Sequence, residues 1–415
     1  MKTPRFVLSL LLAAWVSTSI AATVKDREGA VRQDRATMEN DARWVYNDVQ
    51  RGFAEAKRTG KPLLVVLRCV PCLACSGIDA QVLLQNSDVT PLMNQFVCVR
   101  VINANALDLS LFQFDFDLSF TTMFFNGDGT VYGRYGSWTH QKNSQDTTTT
   151  GFKRALEAAL AVHRGYPANK ASLAGKQGAP IAYRTPVEIP GVSGKYSLDL
   201  NWNGKVVPSC VHCHQIGDGL RLSYRLKKES IPAELIYPMP ASETIGLTLA
   251  QDQIARVESV ADGSIAAKAG LEKGDEITSL AGQPLVSVAD LSWVLHRSPE
   301  SGSLSAVVKR GGVEKSLKLA LTDGWRTKSD ISRRVGTWEL RGMAGGGLLL
   351  VDLTDEERSQ RGLGKAEMAL LLKHVGEYGK HAAAKKAGFQ KDDVLVALDG
   401  ASDRSEERRV GKECA

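Results

Sequence analysis

Three cysteines stand three residues apart in the stretch RCVPCLACSGID: Cys69, Cys72 and Cys75. They form two overlapping C-x-x-C pairs, of which only one can be the working pair of a redox helix. Three chemistries suit the cluster: dithiol–disulfide exchange, a structural disulfide, or binding of zinc or copper through the three thiols. We predict dithiol exchange and keep the other two as alternatives.

A second motif, Cys210-Val211-His212-Cys213-His214, has the C-x-x-C-H pattern of c-type haem attachment. In that chemistry the two thiols form thioethers to the haem vinyl groups, and the adjacent histidine is the proximal iron ligand. The pattern predicts haem c on Cys210 and Cys213, with His214 bound to the iron. A second redox or disulfide pair and a zinc site sharing ligands with the first cluster are the alternatives.

The bulk composition is that of a globular protein with several domains. The 415 residues carry 24% charged and 43% hydrophobic side chains, with a net charge of +6 spread along the chain. Such a length exceeds one hydrophobic core and predicts about two to four domains. No block of Lys and Arg is interleaved with aromatics, so we expect no nucleic-acid partner.

Residues 1–21 read as a secretory signal peptide. Lys2 and Arg5 precede a mostly apolar run, Phe6 to Val16, and small residues at Ser19-Ile20-Ala21 suit cleavage. The run is too short to span a bilayer without help, and no later run is longer. We therefore expect a periplasmic or secreted protein without a transmembrane segment beyond the signal, the alternative being an uncleaved anchor.

Residues 40–165 predict one α/β domain. The pattern indicates a helix over Asp41–Lys57, a buried strand LLVVL, the cysteine turn with a polar helical stretch, and a second strand QFVCVRVI. A hairpin around Asn126-Gly127-Asp128-Gly129 and the helix GFKRALEAALAVH follow.

This order resembles that of thioredoxin-like proteins, in which Lys-Pro commonly precedes the first active cysteine by nine residues. Lys61-Pro62 stands at that distance before Cys72. The resemblance implies that Cys72 is the nucleophile and Cys75 the resolving thiol at the start of a helix, with Cys69 as an auxiliary thiol and Cys98 as a core residue. Two departures affect substrate docking: Pro71 replaces the usual tryptophan, and 119–122 lacks the usual cis-proline.

The rest of the chain predicts a linker and a duplicated module. Residues 166–241 are rich in Pro, Gly, Ser and Lys and read as a linker that carries the C-x-x-C-H site. KAGLEKGDEITSLAG, from Lys268, returns as KAGFQKDDVLVALDG 118 residues later. The repeat predicts modules at 242–322 and 323–403, the second cut short. Residues 404–415 resemble the translation of a DNA-sequencing adapter, the alternative being a frayed charged helix.

The first module resembles a bacterial PDZ domain of the HtrA protease type, on the stretches SETIGLTL, AGLEKGDEI and VADLSWVLH. The resemblance implies that Ile245, Gly246 and Leu247 form the loop that receives a peptide carboxylate. Leu247 and Leu249 would lie on the strand that a bound peptide extends, and Val294 would face the peptide from the opposite helix. A PDZ-shaped scaffold without a ligand is the alternative.

Together these parts resemble the bacterial family of thioredoxin-like, PDZ-containing (seleno)proteins, in its cysteine form. The resemblance implies an α/β thioredoxin-like domain, the C-x-x-C-H linker and two mainly β PDZ-like modules. The expected function is that of an exported thiol–disulfide oxidoreductase whose PDZ modules bind protein or peptide clients, including disulfide-bearing substrate proteins. Two alternatives stay open: a haem-binding electron-transfer protein, and a non-enzymatic PDZ adaptor with structural cysteines.

Overall fold

The computed structural model describes most of the chain from residue 26 onward. The described residues are 26–70, 88–118, 120–136, 148–250, 252–331, 334, 336–337, 345–377 and 379–406. Cys72 and Cys75 lie outside them, as does the expected signal peptide.

The N-terminal domain is built on a five-stranded sheet in the order β1-β3-β2-β4-β5. β1 and β2 run parallel to β3, whereas β4 is antiparallel to both β2 and β5. The central strands are runs of apolar and β-branched residues buried on both faces, as the sequence predicts. The bounds are β1 Trp44–Tyr46, β2 Leu63–Arg68, β3 Val97–Val101, β4 Phe120–Phe125 and β5 Val131–Tyr135.

Helices cover both faces of this sheet. On one face α4 packs Phe152 and Leu156 against Phe124, and on the other α2 packs Ala56 against Val65 and its neighbours. The bounds are α1 Arg27–Met38, α2 Val49–Thr59, α3 Thr90–Met93, α4 Thr149–Arg164 and α5 Lys170–Leu173.

The helix predicted over Asp41–Lys57 begins too early. Its first part is strand β1, and α2 starts only at Val49, after Asn47 with φ 54°. Asp48 caps the helix by accepting the Arg51 N–H at 2.9 Å. The aromatic and β-branched residues of β1 pair with β3 instead, a long-range contact that local periodicity does not contain.

The interpretation of 166–241 as a linker is also wrong. Ile189, Val192 and Val211 lie in the same buried cluster as strands β2 and β3, so this segment completes the core of the first domain. It contains helix α6, Cys213–Lys227, and the short helix α7, Ala233–Ile236. Because its turns are polar and rich in Pro and Gly, the segment lacks the apolar periodicity that would predict this packing.

The next unit has the β-rich architecture predicted for the first repeat. A four-stranded sheet in the order β11-β10-β8-β9 and a two-stranded sheet β6-β7 enclose one buried cluster together with helix α9. The bounds are β6 Leu247–Leu249, β7 Val257–Val260, α8 Ile265–Lys268, β8 Glu276–Leu280, β9 Gln283–Pro284, α9 Val288–His296, β10 Gly302–Arg310 and β11 Val313–Leu321.

The repeated stretch has the same local structure in both modules. α11 starts 118 residues after α8, and Gly388 has a positive φ as Gly270 does. In the first copy Asp275 is buried and pairs with Arg310, whereas Asp393 in the second copy is exposed. The second module comprises β12 Leu348–Asp352, α10 Asp355–Gln360, β13 Leu370–Val375, α11 Ala383–Lys386 and β14 Val394–Leu395.

Among the helices that the structure describes, none is long and apolar enough to cross a membrane.

Candidate functional site

Strand β2 leads directly into Cys69, the first cysteine of the first motif. It lies between β3 and β4 at the centre of the sheet and ends at Arg68. Cys69 follows directly and is only 6% exposed. The Arg68 guanidinium donates a hydrogen bond through Nη1 to the Cys69 carbonyl oxygen.

The second motif lies against this strand end because a buried asparagine holds it there. Asn105, fully buried in the loop after β3, accepts the Val211 N–H through Oδ1 at 2.7 Å. Its Nδ2 donates to the carbonyl oxygens of Ser197 and Ser209 at 2.7 and 2.8 Å. One side chain therefore ties three points between residues 197 and 211 to the loop after β3.

His212 stands at the N-cap of α6, immediately before Cys213. Its backbone N–H donates to Gln215 Oε1 at 2.8 Å, which fixes the first turn of the helix. Its imidazole Nδ1 lies 3.1 Å from Cys69 Sγ, although the two residues are 143 positions apart. The structure thus joins the two cysteine motifs through a thiol–imidazole contact.

His212 and Asn105 are candidate functional residues that only the fold reveals. The haem signature drew attention to His214, the histidine outside the C-x-x-C pair. Nothing in the local sequence marks His212 as the partner of a strand end far away in the chain.

The described residues do not fit a covalently attached haem. Both thioethers and the iron ligand must face one macrocycle, but Cys210 and Cys213 belong to different buried clusters and are only 7% and 8% exposed. Cys210 packs with Val70 and Ile102, and its thiol donates to the Ile102 carbonyl oxygen at 3.6 Å. Haem c stays a prediction, which a pyridine haemochrome spectrum of the exported protein tests.

His214 points to a different partner. Its Nδ1 is 3.3 Å from Asp218 Oδ2, one turn further along α6, and Arg221 donates to the other oxygen at 2.7 Å. Burial by itself would raise the pKa of Asp218. The hydrogen bonds from His214 and Arg221 and the charge of Arg221 outweigh burial and hold that pKa below its usual value.

No group of three His, Cys, Asp or Glu within the described ranges is arranged to hold a metal ion. The zinc and copper alternatives depend on Cys72 and Cys75, which lie outside those ranges. Both alternatives therefore stay hypotheses.

Of the segment expected to carry a cis-proline, Phe120 to Thr122 form the start of β4. Thr121 Oγ1 donates to the Tyr135 carbonyl oxygen at 3.0 Å, which ties this strand to β5. Thr122 Oγ1 is buried and has no hydrogen-bond partner among the described residues.

The residues predicted to bind a peptide come together in the β-rich unit. Ile245, Leu247, Leu249 and Val294 share its buried cluster, and Gly246 has φ 85°. β6 pairs only with β7 among the described strands, which leaves its other edge without a strand partner. Val294 is 2% exposed, so a peptide would reach it only if the residues covering it moved. The five-residue assignment stays a prediction.

Comparison with known proteins agrees with this architecture. A profile of thioredoxin-like proteins matches residues 44–127, and a PDZ-domain profile matches residues 256–310.

Two curated relatives are similar over a limited part of the chain. The periplasmic pH-dependent serine endoprotease DegQ of Escherichia coli (strain K12) is 32% identical over 143 residues, which cover 34% of this chain and 28% of that protein. A probable periplasmic serine endoprotease DegP-like of Pseudomonas fluorescens is 29% identical over 145 residues, covering 35% and 29%. The match thus spans less than a third of either relative. The thioredoxin-like α/β domain and the later β-rich PDZ domain predicted from the sequence are confirmed, whereas the second PDZ-like module stays a prediction.

Proposed function

We propose that this protein is an exported thiol–disulfide oxidoreductase that holds protein clients through its PDZ domain. The observation that carries the proposal is the contact of Cys69 Sγ with His212 Nδ1 at the end of β2. A thiol beside an imidazole is the arrangement that favours a reactive sulfur. It lies at the end of the central strand of a thioredoxin-like sheet.

In the proposed reaction Cys72 attacks a client disulfide, and one client sulfur leaves as a thiolate. Cys75 then attacks the Cys72 sulfur of the mixed disulfide and releases the second client thiol. The client gains two electrons, and the protein is left with a Cys72–Cys75 disulfide. The same steps in reverse oxidise a client dithiol.

Two lines of argument support export. The first 21 residues have the composition of a signal peptide, and the relatives matched over about a third of the chain carry periplasmic in their names. Disulfide exchange with proteins suits that compartment, where disulfides persist.

Reduction of insulin disulfides by the mature protein, with dithiothreitol as the electron source, tests the enzymatic part. We expect activity in the wild type and its loss in Cys72→Ser. Cys98→Ala is the matched control, because Cys98 lies within the sheet with its thiol donated to the Met93 carbonyl oxygen. An inactive wild type, or a Cys72→Ser variant as active as the wild type, would refute the proposal.

Client binding is tested with fluorescent peptides that end in a free or an amidated carboxyl group. A Cβ at Gly246 would lie 2.1 Å from the Ser264 Cβ, so Gly246→Ala must displace the loop expected to receive the carboxylate. Gly263→Ala is the control, since Gly263 also has a positive φ but no neighbour within 4 Å of its added Cβ. We expect tighter binding of the free carboxylate and a loss confined to Gly246→Ala. Equal binding of both peptides would contradict carboxylate recognition.

A further inference from the structure

The contact between Cys69 and His212 joins a thiol and a proton acceptor from two distant parts of the chain. Cys69 Sγ and His212 Nδ1 are 3.1 Å apart, within hydrogen-bonding distance for a sulfur. A nucleophile and a base within such reach are the core of a thiol-exchange site.

His212 is held in place by backbone contacts on both sides. The Val211 N–H is bound by the buried Asn105, and the His212 N–H is bound by Gln215 at the start of α6. The imidazole is therefore presented by a fixed helix end and not by a free loop. This preorganisation is what a proton-transfer group needs.

Strand β2 has no acidic side chain or histidine of its own. Its five residues before Arg68, Leu63 to Leu67, are all apolar and buried. A proton acceptor for a thiol at this strand end must therefore come from another element, and among the described residues the fold brings His212 within reach of Cys69.

Cys98 on the adjacent strand β3 is a buried thiol whose hydrogen-bond partner is not a base, and it serves as a comparison for Cys69. Burial raises the pKa of Cys98 to about 12, and its Sγ donates to the Met93 carbonyl oxygen at 3.5 Å. The two thiols are similarly buried, at 6% and 5% exposure. They differ in the partner: a carbonyl oxygen keeps the proton on sulfur, whereas an imidazole can remove it.

We infer that Cys69 is itself an exchanging thiol of the redox centre and that His212 is its proton acceptor. This inference rests on the proposed function and extends it from two thiols to three. The substrate class is a protein disulfide presented at the end of β2, where Cys69 lies.

The exchange balances without an added oxidant or reductant. The Cys69 S–H gives its proton to His212 Nδ1, and the thiolate attacks one sulfur of the disulfide. A bond forms between Cys69 and that sulfur while the original S–S bond breaks. The departing thiolate then takes up the proton from the imidazolium, so one disulfide is lost and one is formed.

Alkylation of the full-length mature protein carrying Cys72→Ser and Cys75→Ser tests the pair. Peptide mass mapping follows iodoacetamide labelling of Cys69 and Cys98 in the same molecule. We expect Cys69 to label faster than Cys98. We also expect His212→Asn to slow Cys69 labelling by roughly a hundredfold, the lower end of general-base contributions. Asparagine still serves as a helix N-cap but does not accept the proton.

His214→Asn is the matched control, because His214 lies two residues away and faces Asp218 instead of Cys69. It should leave the Cys69 rate unchanged. Equal rates for Cys69 and Cys98, or equal effects of the two histidine variants, would overturn the inference. A thermal unfolding curve confirms that each variant folds. If His212→Asn does not fold, the comparison of the Cys69 and Cys98 labelling rates in the parent protein decides the test. The assay contains no client and no Cys72, so its outcome is independent of insulin reduction.

Discussion

Two of the contacts that later parts of the chain make with the thioredoxin-like domain differ in their chemistry. At the end of β2 the contact is a thiol beside an imidazole, Cys69 with His212. Beside β5, the PDZ helix α9 docks through a fully buried ion pair between Asp290 Oδ2 and the Nζ of Lys176, which lies in the turn after α5, at 2.7 Å. The first junction can exchange a proton between its partners, whereas the second holds fixed charges.

Asp290 accepts two more hydrogen bonds at the ion-pair junction, both from backbone N–H groups. The Asp290 carboxylate also accepts the Arg134 and Val286 backbone N–H groups, each at 3.0 Å. The Arg134 guanidinium stacks on the Trp293 ring at 3.6 Å from its centroid, and burial lowers the Arg134 pKa to about 9 despite the nearby Asp290. A Cβ on Gly133 would collide with Val286, so glycine permits the close approach.

The comparison indicates two roles for the two junctions. A buried ion pair costs desolvation and is difficult to break, which suits a contact that fixes the orientation of the PDZ domain. A thiol–imidazole pair carries little desolvation cost while neutral and can change its protonation, which suits chemistry. The following predictions test this division.

The largest effect on stability is expected from Asp290→Ala. It leaves Lys176 as a buried charge without its partner, so the free energy of unfolding should fall by about 3–5 kcal/mol. Urea unfolding followed by tryptophan fluorescence measures it, with Asp262→Ala on the exposed surface of the same domain as control. The labelling rate of Cys69 should not change. A stability loss no larger than that of the control would contradict the structural role of this junction.

A smaller loss of stability is expected from Asn105→Ala, together with a loss of Cys69 reactivity. The substitution leaves the Val211 N–H and two carbonyl oxygens without their buried partner, at a cost of roughly 1–3 kcal/mol. Because Asn105 positions His212, labelling of Cys69 should slow as well. Normal labelling in a folded Asn105→Ala protein would show that His212 needs no such support.

The smallest effect concerns Cys98. Since burial raises the pKa of Cys98 to about 12, its thiol stays protonated and should resist iodoacetamide in the folded protein at neutral pH and somewhat above. In the unfolded chain the thiol ionises near its ordinary value. The folded-state shift therefore stabilises the protein below about pH 8.5, and that contribution is lost progressively as pH rises towards 12. Labelling of Cys98 before unfolding would contradict this contrast with Cys69.

Much of the fold was predictable because local sequence patterns determine it. The apolar run of β2, the hairpin around Asn126 and Gly127, and the repeated PDZ stretch all encode their structure within a few residues. The packing of residues 189–216 into the sheet was not predictable, because contacts about 100 residues apart supply the apolar surface that these turns need.

Of the candidate site, only the position of Cys69 was predictable from the sequence. The position of Cys69 at the strand end follows from the strand that precedes it. The role of His212 does not, because the C-x-x-C-H pattern points to a cofactor when read locally. Only the fold shows that the two thiols of that pattern enter different clusters while the histidine between them reaches Cys69.

A double-mutant cycle on Cys69 and His212 tests the central claim most directly. The quantity is kcat/KM for reduction of a protein disulfide by the wild type, Cys69→Ala, His212→Asn and the double variant. If the two side chains act as one pair, the double variant loses no more activity than the more damaging single variant. Losses that multiply would show that Cys69 and His212 act independently and would contradict the account.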